Sequence, residues 1–301
     1  MNPDSFPLAG IALAIASAAA LSIGNLLQAR GVRRTEQRMD AGADRSRAVN
    51  LVRNRAWLLG AVLLGVAILL QMGSLAFAPL IVVQPIGVAA LVFTALLTAV
   101  VLKRAPSRAA IRAIAVCVLG VAAFVTVAAL VSTQHAVADA QLIAVLIVLG
   151  AILLVTGIIL YAGRARPTPP ILWVLLGGIY SAFVATLGKT VILRVQTALK
   201  SHDFALDATN FLTIGCIIGI GIAGALSIYF VQRAHVGNRP DVVVAGLTVI
   251  DPTVAVILGI TILGEASDAP LWSVFGFIGA GALAITGVFL LARAEQTSHA
   301  E

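Results

Sequence analysis

The chain has 301 residues, of which 60% are hydrophobic and 11% charged, and a mean hydropathy of +1.05. A soluble domain of that size needs far more charge to cover its surface, so the composition excludes one and indicates a polytopic helical membrane protein. The formal net charge of +7 requires no nucleic acid to explain it, because the cytoplasmic loops of membrane proteins collect Lys and Arg.

The first predicted helix covers about residues 6–29. No Lys or Arg precedes it, so it lacks the basic start of a signal peptide and reads as a spanning helix. A basic loop follows at 30–55, with eight arginines against Glu36, Asp40 and Asp44. Further helices are predicted at about 56–78, 80–102, 109–131 and 140–162. After the Pro-rich turn at 166–170, four more follow at about 171–199, 211–233, 240–265 and 271–292. Each has close to the ~20 apolar residues that cross a bilayer.

Nine helices put the two termini on opposite sides. The loops after the first, third, fifth and seventh helices carry the cations: 30–55, then Lys103, Arg104, Arg108 and Arg112, then Arg164 and Arg166, then Arg233 and Arg239. The alternate loops, around Pro79, 132–139, 201–210 and 266–270, carry neither Lys nor Arg. The positive-inside rule then predicts the N-terminus outside and the C-terminus inside the plasma (inner) membrane.

The chain also resembles itself. Ser17, Gly24, Asn25 and Arg30 recur as Ser181, Gly188, Lys189 and Arg194, at an offset of 164 residues. Gln84-Pro85 and Gly120-Val121 recur as Asp251-Pro252 and Gly287-Val288, at an offset of 167. The first copy starts outside and the second inside. The predicted architecture is therefore all-α, nine transmembrane helices in a 4+1+4 inverted repeat, with residues 1–132 and 167–301 as the halves and 133–166 as the connector. Transporters built this way place their site between the halves, at matched interrupted helices. Pro85 and Pro252 are that matched pair of helix breaks. Pro252 leaves the Thr248 carbonyl without a helical donor, so the eighth helix is expected to kink or open.

Asp251-Pro252 through Leu263-Gly264-Glu265, with Gln84-Pro85 in the first half, carries a resemblance. It is similar to the drug/metabolite transporter superfamily, in which EamA-like helix pairs have a proline early in the second helix and a closing acidic residue. In the first half the closing position carries Lys103. The nine helices, the Arg-rich first loop, Ala76-Phe77-Ala78-Pro79 and Val83-Gln84-Pro85-Ile86-Gly87 resemble the NIPA-type, magnesium-transporter-like branch. The resemblance implies an inverted-repeat permease without choosing its substrate.

Asp251 lies roughly 16 Å along its helix, near mid-bilayer, and intramembrane acids commonly line a pathway. The plainer alternative is a structural carboxylate that satisfies backbone opened by Pro252 or pairs with a basic side chain. Lys189 is either a counter-charge to Asp251 or substrate contact, or a cation that snorkels to the outer interface. Asn25, Gln71 and Gln84 are neutral polar residues in apolar runs, candidates for the pathway or for interhelical hydrogen bonds. The glycines of the seventh helix suit close packing. Cys117 and Cys216 read as buried small hydrophobes. Gly188-Lys189-Thr190 fails as a phosphate loop because Phe183 stands where it needs glycine. No nucleophile triad or metal-ligand spacing is present, so no enzyme activity and no cofactor are expected.

The expected function is transport of a small solute by alternating access around a central site at Asp251, between the first, third, sixth and eighth helices. Transport of Mg2+ or another divalent cation is the first alternative, and a non-transporting accessory membrane protein the second. Against the first alternative, one carboxylate is a thin ligand set for a hard cation, and Lys189 would repel it. The expected partners are the lipid bilayer, a small-molecule or ion substrate and a coupling proton or cation, with a homodimer left open and no nucleic acid.

Overall fold

The computed structural model describes residues 7–36, 53–102, 107–133, 137–163, 169–201, 208–238 and 240–298. Among them all regular structure is helical: α1 Pro7–Glu36, α2 Arg55–Phe77, α3 Leu80–Gly87, α4 Ala89–Leu102, α5 Arg108–Val131, α6 Asp139–Ala162, α7 Pro170–Ser201, α8 Ala208–Gly237, α9 Pro240–Thr261 and α10 Leu271–Ser298. α3 and α4 together make one crossing, so the described residues hold nine helical segments long and apolar enough to span a membrane. Most of the Arg-rich loop, 37–52, and most of the Pro-rich turn, 164–168, lie outside the described residues.

The two prolines behave differently. The predicted third helix is split at Val88, three residues after Pro85. Val88 keeps helical dihedrals (φ −59°, ψ −29°), but its N–H closes on the Pro85 carbonyl at 3.2 Å, three residues back instead of four. By contrast α9 runs unbroken as helix through Pro252, where opening was expected. α9 also stops at Thr261, four residues short of Glu265. Gly264 adopts a φ of 68°, and the Glu265 N–H bonds back to the Gly259 carbonyl at 3.1 Å. The left-handed Gly264 and this wide backbone bond stop the helix. It turns Glu265 back toward the bundle.

Without a hydrophobic drive in lipid, helices associate where small residues admit close backbones. Gly24 and Gly60 face each other between α1 and α2, and a Cβ on Gly60 would lie 2.7 Å from the Gly24 carbonyl oxygen. α5 and α10 touch at two points. A Cβ on Gly120 would meet the Ala284 nitrogen at 2.3 Å, and one on Gly287 would meet Cys117 Cα at 2.4 Å. The main neighbours are α1 with α2, α7 with α8, α7 with α9, α1 with α3 and α4, and α5 with α10. α7 is the enclosed helix: Tyr180, Phe183, Leu187 and Lys189 are all fully buried. Large apolar side chains such as Leu69, Ile147 and Phe275 are exposed and form the surface presented to lipid.

Candidate functional site

A cavity of about 430 Å³ opens between α1, α2, the α3–α4 pair and α9. α1 contributes Ser17, Ser22 and Asn25; α2 contributes Gln71; α3 and α4 contribute Gln84 and Thr94; α9 contributes Thr248, Asp251 and Pro252. Two of its hydroxyls are turned onto helix backbone. Ser17 Oγ donates to the Ala67 carbonyl at 2.7 Å, and Ser22 Oγ donates to those of Ala18 at 2.9 Å and Ala90 at 2.8 Å. Asn25 and Gly87 are exposed at the rim, while Gln84 is buried in the wall.

Asp251 is half-buried. Ser181 Oγ, from α7, donates to its Oδ2 at 2.6 Å. Its Oδ1 is buried and accepts no hydrogen bond. A carboxylate oxygen with no donor at bilayer depth is costly unless a cation or proton comes to it. Among the described residues no Lys or Arg lines the cavity, and no group of three His, Cys, Asp or Glu residues gathers to form a metal cluster.

Four of the residues singled out in the sequence (Asn25, Gln71, Gln84 and Asp251) therefore share one cavity. Lys189 does not join them. It is 1% exposed, so it does not snorkel, and its ammonium pairs with Glu265, whose Oε1 is 3.4 Å away. It also donates to the Ala78 carbonyl. The expected sixth-helix wall is replaced by α2, and α7 reaches the site through Ser181, behind Asp251. Pro252 lines the cavity itself; Pro85 lines a second, apolar cavity of about 350 Å³ on the other side of α9, walled also by α5 and α10.

Glu265 is the residue whose role the sequence conceals. It is 3% exposed and accepts from the Leu80 N–H at 2.7 Å and the Ile81 N–H at 2.9 Å. A carboxylate at the first turn of a helix takes up its orphan donors and meets the positive end of its dipole. Here the helix is α3, far away in sequence. The one signal was the Gly264-Glu265 pair, readable as a helix stop but not as a cap for another helix. Tyr180 is fully buried and donates to Thr156 Oγ1 at 2.9 Å, while Tyr229 faces outward. Arg194 pairs with Asp139. Cys117 and Cys216 are free thiols in the buried core.

Compared with known proteins, the chain is matched over residues 6–297 by the family model described as Magnesium transporter NIPA. No curated protein and no solved structure matches it.

Proposed function

The chain belongs to the NIPA magnesium transporter family, a family of integral membrane proteins, and from that premise we propose that it carries Mg2+ through the bilayer by alternating access, with Asp251 as the fixed charge of the ion site. The carrying observation is the cavity itself. It presents one carboxylate, three side-chain amides (Asn25, Gln71 and Gln84) and several hydroxyls, with no cation in its walls. Mg2+ takes oxygen ligands, dehydrates reluctantly and is commonly held by one or two carboxylates with its waters retained. One carboxylate with neutral oxygens around it suits a hydrated ion that must also leave. The charge objection disappears as well, because the Lys189 ammonium is matched by Glu265.

Alternating access draws support from the repeat. α1 packs on α2 as α7 packs on α8, and α1 packs on α3 as α7 packs on α9. In this reading residues 1–132 and 167–301 rock about the α5–α10 contact, with α6 as connector. The distribution of Lys and Arg supports a C-terminus on the inner side of the plasma membrane. The orphaned Oδ1 of Asp251 also suits a proton that returns in exchange for the ion, so flux is to be measured with and without a pH gradient.

The test is Mg2+ flux into or out of proteoliposomes loaded with a Mg2+-sensitive dye. Wild type is expected to carry Mg2+, and Asp251→Asn to insert normally and carry none. Wild-type rates in Asp251→Asn would remove the role given to this carboxylate.

A further inference from the structure

The cavity and the buried ion pair lie at different depths of the same helices. Ser181, which holds Asp251, and Lys189 are eight residues apart on α7, or ~12 Å. On α9 the direction is the same: Asp251 faces the cavity, and Glu265 follows the C-terminal end of the helix. On the first half, Gln84 lines the cavity and Leu80, one turn earlier, begins α3 on the Glu265 carboxylate. Between these levels the interior is packed solid. Val83, Phe183 and Leu187 are fully buried there and belong to one continuous apolar core. Asn25 is exposed at one end of this axis, and the other end is closed by the packed core.

The contacts at the plugged end join the two halves. Lys189 and Glu265 belong to the second half; Ala78, Leu80 and Ile81 belong to the first. Glu265 accepts from both α3 amides, Lys189 lies against Glu265 and donates to the Ala78 carbonyl, and the Glu265 carbonyl accepts from the Thr133 N–H at 2.9 Å. Gln141 Nε2 fixes the adjoining turn through the Leu263 carbonyl at 2.9 Å. A purely structural staple at this depth could be apolar and would be cheaper, since a buried ion pair costs its desolvation. A joint that must part gains from being ionic. On opening, ammonium, carboxylate and α3 amides all return to water, so the desolvation cost of closure is recovered and the two states stay close in free energy.

We propose that Lys189, Glu265 and the first turn of α3 form the gate that shuts one end of the Mg2+ pathway while the Asp251 cavity is open at the other. The proposal rests on the transport reading given above and adds the second gate to it. Closing this end keeps the ion from leaking through when the cavity is loaded. Opening requires α3 to leave Glu265, and because α3 carries Gln84, the same movement remodels the cavity wall.

A reversible lock tests it in the full-length protein. A Cβ built on Gly259 lies 3.6 Å from Leu80 Cβ, within the separation a disulfide bridges, and also 3.0 Å from Glu265 Oε2, so Gly259→Cys alone is the reference against which the double variant is read. The double variant Leu80→Cys/Gly259→Cys, reconstituted in liposomes, is expected to carry Mg2+ when reduced. Oxidation should lower flux at least ~10-fold and reductant should restore it, while Mg2+ binding, read by isothermal titration, stays within about two-fold. Equal flux in the oxidised and reduced forms overturns the gate, and so does loss of Mg2+ binding on oxidation. A second variant does not depend on the crosslink: Val83→Cys is expected to react with a soluble maleimide at least ~10-fold faster when combined with Glu265→Gln. An unchanged rate overturns the gate. Failure of the underlying reading has a different signature, in which Asp251→Asn keeps its flux although the oxidised lock still abolishes it.

Discussion

At the scale of single residues, the chemistry turns on which carboxylate holds which partner. Among the described residues, two acids lie within the bundle and are treated oppositely. Glu265 is saturated by two amides and an ammonium, whereas Asp251 receives one hydroxyl and leaves an oxygen bare. In the proposed cycle the saturated acid serves as the joint and the bare one as the ion site. Ser181 should therefore matter to affinity rather than to folding. A hydrogen bond to a charged group contributes about 1.5–3 kcal/mol, and Ser181→Ala frees the carboxylate to rotate away from the cavity. We expect KM for Mg2+ to rise by roughly ten-fold, since each ~1.4 kcal/mol is a factor of ten, with the maximal rate held within about two-fold. Flux measured against Mg2+ concentration decides it, and an unchanged KM removes Ser181 from the site. Asn25, Gln71, Gln84 and Asp251 were legible in the sequence because a polar residue in an apolar run stands out. The Lys189 partner was not. Helical spacing fixes where a side chain lies along its own helix, but its partner, Glu265, comes from a turn whose direction only the Gly264 backbone sets.

At the scale of elements, contacts between glycines and backbone decide how closely the helices approach. Gly120 and Gly287 were visible as a repeat pair, but spacing alone did not say that they meet the opposite helix. The contact has an internal symmetry. Gly120 abuts Ala284 and Gly287 abuts Cys117, and the offset of 167 residues converts each contact into the other. Such self-exchange is what a two-fold relation between halves produces at its axis. Gly120→Ala places a methyl 2.3 Å from a backbone nitrogen that cannot move aside, so α5 and α10 must separate. We expect a loss of about 1–3 kcal/mol, as for overpacked cores, seen as a lower thermal midpoint in detergent. Gly188→Ala is the control. Nothing lies within 4 Å of its added Cβ, and in a helix interior alanine is favoured over glycine by about 1 kcal/mol. Equal effects of the two substitutions would dispose of the close-contact argument. The prolines carry the opposite lesson. Their positions were plain in the sequence, yet the helix is interrupted three residues after Pro85 and runs on through Pro252, so a missing N–H alone does not set a break.

At the scale of the whole molecule, the number and order of helices follow from apolar run length, and the described residues hold nine segments long and apolar enough to span. What length cannot give is which way the cavity faces. Charge can. Of the described cations at helix ends, Arg53, Arg55, Arg108, Arg112 and Arg233 lie where α2 and α5 begin and where α8 ends, against Lys200 at the end of α7 on the other side. In a bundle of nine alternating crossings those ends share one side. The turns of the other side, 132–133, 137–138 and 266–270, contain no Lys or Arg among the described residues. Arg194 points toward that side but is paired with Asp139 and donates to the Val137 carbonyl at 3.3 Å, so it does not upset the balance. The cation-rich side should therefore be cytoplasmic. The Asp251 cavity then opens inward and the Lys189–Glu265 joint closes the outer end. Asp268 is exposed in the α9–α10 turn, and His235 is exposed near the end of α8. With a cysteine at one of these positions, and the native Cys117 and Cys216 buried, a membrane-impermeant maleimide should label Asp268→Cys on intact cells. It should reach His235→Cys only after permeabilisation. The reverse pattern would invert the orientation and, with it, the side from which Mg2+ enters the cavity.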